Sequence, residues 1–214
     1  MGKLKEYKKT IIITSIITLI PMLIGILLWD KLPNEIATHF DGSGTPNDWS
    51  SKYVAVFGIP LLLLIIHFIA IAATLADPNK KNISSKVFKL ILWIIPLISL
   101  FTITSIYRYE LDNSINAAAG VTTMLGVVFI VIGNYLPKCH RNYTVGIKIP
   151  WTLHDEENWN QTHRLAGKLW TTGGLLITIF SFIVPDSSLV FPIIACIMVL
   201  VPVLYSFLYY VKHK

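Results

Sequence analysis

The chain is short of charge. Only 14% of its 214 residues are Asp, Glu, Lys or Arg, while 54% are hydrophobic and the mean hydropathy is +0.62. Soluble domains carry about 25% charged residues. So few charges cannot cover the apolar surface of a water-soluble fold of this length, and lipid is expected as the solvent for much of it. Cysteine is equally scarce. Cys139 lies beside one apolar run and Cys196 lies inside another. Their spacing makes neither a disulfide framework nor a metal knuckle, so both are read as free thiols.

The motifs of several enzyme classes are missing too. There is no Walker loop, no G-x-S-x-G elbow, no Rossmann fingerprint and no H-E-x-x-H. No serine or cysteine sits beside a base in a way that suggests nucleophilic catalysis. The apolar runs hold no relay of acids, which argues against a proton-coupled pump. No internal repeat or low-complexity tract is evident. No cleaved signal peptide is expected: the first apolar run is too long for an h-region, and no small-x-small site follows it. Glu6 stands where a myristoylation signal needs Ser or Thr.

What the chain does have is long uncharged runs. The first, Ile11 to Trp29, crosses roughly 30 Å at a rise of 1.5 Å per residue. Five more follow: Tyr53 to Ala76, about Val87 to Tyr107, Ala117 to Leu136, Leu165 to Val184, and Leu189 to Val211. The expected fold is therefore all-α, an integral membrane bundle of six transmembrane helices. The fourth run is rich in small residues (Ala117, Ala118, Ala119, Gly120, Gly126, Gly133). These allow close helix approach, so this run is expected at the centre of the bundle. Pro185 to Ser188 reads as a tight turn. The net charge of +6 would suggest nucleic acid in a soluble protein. Here the charges fall in the gaps between runs, and no direct nucleic-acid binding is expected. The N-terminus, the 77–89 link, the 137–168 segment and the C-terminal tail together hold 15 of the 18 Lys and Arg residues. The alternate connections hold only Lys31, Lys52 and Arg108. By the positive-inside rule both termini and the 137–163 segment are expected in the cytoplasm and the 30–52 loop outside.

The stretch from Asn142 to Gly174 is the most polar segment next to so much apolar sequence. It holds Trp151, Trp159, Trp170, His154, His163 and the triplet Asp155-Glu156-Glu157. Pro150 biases Ile149 to extended geometry. Thr152 stands three before Asp155, as in a capping box, and the acids suit a helix N-terminus. A helix is expected to start near Leu153 and to run on into the fifth span, with Glu156, Trp159, His163 and Trp170 near one face. On residue types alone two readings stand. One is a recognition surface of Arg, His, carboxylate and tryptophan. The other is an interfacial helix capped by its acids and anchored by its tryptophans. A metal site from His154, Glu157 and His163 is a sharper alternative, with the spacing against it. Two further polar features carry the same choice between function and structure. One is the outer loop with His39, Asp41 and Asp48 around the turn Asp41 to Pro46. The other is His67, a polar residue within the second span.

Two blocks carry a family resemblance. G-I-K-I-P-W-T-L from Gly146, followed by E-x-x-W-x-x-T-H-R-x-x-G from Glu156, resembles the signature of the SdpI family, integral membrane immunity proteins of bacteria. L-P-N-E-I-A-T-H-F-D-G-S-G-T-P-N-D from Leu32 resembles a short domain of unknown function that often precedes the SdpI domain. Ala37 stands where that domain often has proline, and Asn47-Asp48 stands near its usual P-D. The resemblance implies a multi-pass protein of the bacterial cell membrane, built from a two-span unit over 1–76 and a four-span unit over 77–214. It implies protection against a secreted peptide toxin. As in the best-studied branch, it also implies signalling by sequestering a cytoplasmic transcriptional repressor. It implies no enzyme, no cofactor and no metal. The matched positions, and so the expected functional residues, are Gly146, Pro150, Trp151, Thr152, Glu156, Trp159, Thr162, His163, Arg164 and Gly167. In the outer loop they are Pro33, His39, Phe40, Gly44 and Asp48. The rivals from other classes are a small-solute transporter and a membrane-embedded, metal-assisted enzyme.

Overall fold

A computed structural model of the chain describes residues 2–41, 44–112, 116–184 and 189–213. A single helical turn, α1 (Gly2–Glu6), precedes the long α2 (Lys8–Leu27). A hairpin of β1 (Glu35–Phe40) and β2 (Pro46–Ser51) follows, and a π-helical turn at Val54–Gly58 leads into α3 (Ile59–Ala76). The rest is helical: α4 (Ser85–Leu111), α5 (Ala117–Tyr135), the short α6 (Pro150–His154), α7 (Glu156–Ile183) and α8 (Val190–Lys212). Six segments are long and apolar enough to cross a membrane: Lys8–Leu27, Val54–Ala76, Ser85–Leu111, Ala119–Lys138, Glu156–Ile183 and Val190–Lys212. The expected six-span helical bundle is what forms, and the chain is a multi-pass membrane protein.

Local sequence sets several helix starts. Ser84 accepts from the Val87 N–H at 3.3 Å, and Asn116 accepts from the Ala119 N–H at 2.9 Å. Asp155 accepts from the N–H groups of Glu157 and Asn158. Each satisfies donors that a helix leaves open at its N-terminus. The bundle is built for lipid. Large apolar side chains such as Ile16, Leu23, Leu62, Ile69, Leu204 and Leu208 are exposed, while Thr14, Thr18, His67, Ser99 and Ser206 are buried. His67 Nε2 lies 3.1 Å from Thr14 Oγ1, and Ser99 Oγ donates to Thr18 O at 2.8 Å. These contacts tie α2 to α3 and to α4, so His67 serves helix packing.

The helices fall into two groups of three. α2, α3 and α4 pack on one another; α7 packs on α5 and α8; α4 and α5 join the groups. α5 thus has neighbours on two sides, as its small residues suggest. Gly126 and Gly133 face Gly174 and Thr171 of α7 so closely that a Cβ on either would overlap backbone. The side chains of Ala117 and Ala118, the turn at 185–188, and Gly42 and Ser43 lie outside the described residues.

The 30–52 connection differs in detail from the expected loop. It folds into an antiparallel hairpin with Ile36 opposite Ser50 and His39 opposite Asp48. Ile36 and Ala37 are both fully buried while Glu35 is exposed, so the strand is held by burial of its middle against the bundle and by its paired backbone. The Ala37 N–H donates to Glu110 Oε1 at 2.7 Å, which pins the hairpin to the end of α4. Leu32, Ile36, Val56, Ile103 and Tyr107 form the core beneath it. At the opposite end Tyr7, Ile83, Phe88, Leu92 and Cys139 form a second core.

Candidate functional site

The signature stretch lies at the end of the bundle opposite the hairpin. It begins with a loop that closes on itself. Asn142, 1% exposed, accepts from the N–H groups of Thr144 and Val145 and donates to the carbonyls of His140 and Val145. Asp77, at the end of α3, is 3% exposed and accepts from the Asn79 N–H, the Tyr143 N–H at 2.9 Å and the Thr144 hydroxyl. A buried carboxylate is tolerated here because three donors replace its water. Asn82 Nδ2 donates to Arg141 O at 2.7 Å, a second strap between the 77–89 link and this loop.

The loop then passes under two stacked rings. Gly146 has φ +121, and a Cβ there would run into the His163 ring and the edge of Trp159. Trp159 and His163, one turn apart on α7, stack with centroids 4.0 Å apart and are both buried. Trp159 Nε1 donates to Cys139 O at 2.7 Å. His163 Nε2 accepts from the Ile147 N–H at 3.0 Å, so the ring proton sits on Nδ1, 2.7 Å from Trp159 O. The imidazole is therefore neutral and fully engaged. Burial also pushes the Cys139 thiol up to about 11.

Thr152 caps α6 rather than a long helix. The Ile149 N–H donates to its hydroxyl, which lies within hydrogen-bond reach of Ile147 O and Ile149 O. The expected single helix from Leu153 breaks at Asp155, whose extended backbone (φ −125, ψ 118) restarts the chain as α7. From Glu156 onward α7 does continue through the fifth span. On its buried side Asn158 Oδ1 accepts from Thr162 Oγ1 and Ser206 Oγ, and Asn158 Nδ2 donates to Ser206 O. This fully satisfied trio locks α7 to α8. Trp151 lies edge-on to Phe207 and stacks on Tyr210, with centroids 5.5 and 6.1 Å away.

The hairpin end holds a cavity of about 500 Å³ between the two helix groups. Thr38, His39, Phe40 and Asp41 of the hairpin line its mouth. Ile106 of α4, Leu125 of α5, Ile177 and Phe180 of α7 and Phe191 of α8 line its body. Phe40 is held edge-on to Tyr109, with centroids 5.1 Å apart.

Residues 138–206 match the SdpI/YfhL protein family, and residues 16–64 match the Domain of unknown function (DUF1648). The fixed spacing from Gly146 to Gly167 falls inside the first match. The chain is also similar to "Immunity protein SdpI" of Bacillus subtilis (strain 168), 29% identical over 206 residues that cover 94% of this chain and 96% of that one. No solved structure matches.

Within the SdpI segment the expected residues separate by exposure. Thr152, Trp159, Thr162, His163 and Gly167 are buried, with Gly167 against Pro137. Gly146 and Trp151 are half-buried; Pro150, Glu156 and Arg164 are exposed. The His-Trp pair thus faces inward, while Pro150, Glu156 and Arg164 face out. The three groups of the metal alternative do not come together. His163 is enclosed, the exposed His154 has its Nδ1 on Pro150 O, and Glu157 accepts from Gln161. Among the described residues no group of three His, Cys, Asp or Glu side chains is placed to hold a metal. At the other end His39 and Phe40 lie on the cavity, while Gly44 takes the left-handed turn of the hairpin at φ +86. Pro33 and Asp48 are exposed and off the cavity lining. Residues not singled out in the sequence are Asp77, Asn142, Asn158 and Ser206. Asp77 had a signal: it is the lone acid between Asp48 and Glu110.

Proposed function

We propose that this chain is a membrane immunity protein that protects its cell against a secreted, membrane-active peptide toxin. The observation that carries the reading is similarity to an immunity protein along almost the full length of both chains. It therefore extends over the hairpin end and the SdpI segment alike. The architecture supports a division of labour. The signature residues are spent on internal hydrogen bonds and stacking, which suits a rigid platform and leaves little chemistry exposed. The reading assigns no catalysis. Units of two and four spans, 1–76 and 77–214, follow the two resemblance blocks. With both termini inside, the hairpin and its cavity face the toxin. The exposed first turns of α7, with Glu156, Glu157 and Arg164, are the surface available to a cytoplasmic partner such as a transcriptional repressor.

The test is survival. A sensitive bacterial host expressing the chain is challenged with purified membrane-active peptide toxins, with membrane insertion of the chain confirmed. Survival above the empty-vector host is expected for at least one of them. Unchanged killing by all of them at full membrane levels of the protein removes the reading.

A further inference from the structure

The cavity at the hairpin end combines a mostly apolar lining with polar hairpin residues. Its volume of about 500 Å³ lies within the ~300–1,000 Å³ range of ligand sites, and it sits between helix groups, where such sites concentrate. Its lining is mostly apolar. Two of its hydroxyls are paired: Ser181 Oγ donates to Thr178 O and lies 2.7 Å from Thr123 Oγ1, and Thr38 Oγ1 lies 3.1 Å from Ser50 Oγ. Thr102 and Thr122 also line it. An occupant therefore gains chiefly from inserting apolar groups. The mouth is different. His39 and Asp41 stand there, on a face that is acidic against the trend of the chain. Among the described residues of that end, Asp30, Glu35, Asp41, Asp48 and Asp112 are exposed, against the exposed cations Lys31 and Arg108. Lys52 is buried, its Nζ on Trp29 O and over the Trp29 ring.

We infer that this cavity is the peptide-binding site, taking the apolar side chains of a cationic amphipathic peptide whose Lys or Arg groups rest on Asp41 and the acidic face of the hairpin end. The inference rests on the immunity reading and gives it a location. Charge decides the occupant. A fatty acid or an anionic lipid would meet Asp41 at the cavity and an acidic face around it, whereas a cationic peptide meets complementary charge. Leu125 lines the cavity and Val127 of the same helix is exposed outside it, so substitutions at the two positions distinguish binding in the cavity from binding at the bundle surface.

The experiment uses the full chain in nanodiscs of phosphatidylcholine, so that the lipid supplies no net charge. Three fluorescent probes are titrated: an 18-residue leucine/lysine amphipathic peptide, its leucine/glutamate counterpart, and a dansyl-labelled fatty acid. The leucine/lysine peptide binds saturably above empty nanodiscs and the other two do not. Leu125→Trp, which fills the cavity, weakens it about tenfold. Val127→Trp leaves it unchanged. Asp41→Asn keeps an acceptor for the Thr45 N–H but removes the charge, and weakens binding about threefold. Absence of saturable binding overturns the inference. So does equal affinity in a folded, monodisperse Leu125→Trp protein, or fatty-acid binding that Leu125→Trp abolishes while peptide binding persists. A survival arm separates the two claims. Failure of the wild-type chain to protect removes the immunity reading. Protection that is equal in the wild type and Leu125→Trp removes the site alone.

Discussion

Gly146 shows how one residue carries the signature end. Its φ of +121 is open only to glycine, and the space where a Cβ would stand is filled by the His163 and Trp159 rings. Gly146→Ala should therefore lose on two counts, with backbone strain alone worth about 1–3 kcal/mol. The expected outcome is a lower thermal midpoint in detergent. Gly120→Ala, whose Cβ would meet only Ser105 Oγ at 3.5 Å, should leave it near wild type. Equal midpoints would show that the ring stack does not depend on this glycine. Cys139 makes a second prediction at this scale. Its thiol is 6% exposed, donates to Tyr135 O and is pushed up to about 11. At pH 8 only about a thousandth of it is thiolate, the form that reacts. In a Cys196→Ala background, N-ethylmaleimide should label the folded protein far more slowly than the denatured one, and rapid labelling of the folded protein would contradict the packing around Cys139.

Asp77 makes the shortest hydrogen bonds between the α3 end and the 142–145 loop, beside a longer one from the Thr144 hydroxyl to Ala73 O at 3.5 Å. Asp77→Ala removes the acceptor for the Tyr143 N–H and the Thr144 hydroxyl, and leaving a buried donor unpaired costs about 1–3 kcal/mol. The loop should loosen before the spans do. Limited proteolysis should then cut within 139–149 faster than in the wild type, with secondary structure by circular dichroism unchanged; unaltered cutting would mean that Asn82 and Asn142 hold the loop without it. Such long-range partners explain what was hidden in the sequence. The spans were legible because uncharged runs of about twenty residues admit few other structures. The caps at Ser84 and Asp155 are local. The Thr152–Asp155 spacing suggests one capped helix, whereas each residue caps its own. The hairpin was missed because Glu35 to Phe40 shows too short an alternation to outweigh its turn-rich neighbours. Its decisive contacts, Ala37 to Glu110 and Ile36 to the α4 core, lie some seventy residues away. The Trp159–His163 pair stands out in the sequence by its spacing in the signature block. That it faces inward depends on Cys139 O and the Ile147 N–H, which sequence spacing does not show.

The whole molecule is electrically lopsided, and the positive-inside rule turns that asymmetry into an expected orientation. The signature end carries 15 of the 18 Lys and Arg residues, and the hairpin end carries Lys31, Lys52 and Arg108. Cations beside a span are retained in the cytoplasm, so the signature end should be inside and the cavity outside. The imbalance is spread over four segments, so no one segment should decide it. Changing Lys3, Lys5, Lys8 and Lys9 to Gln removes four of the fifteen and leaves eleven against three. The measurement is single-cysteine labelling in intact cells, on a Cys139→Ala, Cys196→Ala background. Asn47→Cys, on the exposed hairpin, should react with a membrane-impermeant maleimide. Lys148→Cys, exposed on the signature end, should react only after permeabilisation. The same pattern should persist when the four N-terminal lysines are replaced. Labelling of Lys148→Cys from outside would place the acidic mouth of the cavity in the cytoplasm, out of reach of any peptide arriving from the medium, and the immunity reading would lose its route of encounter.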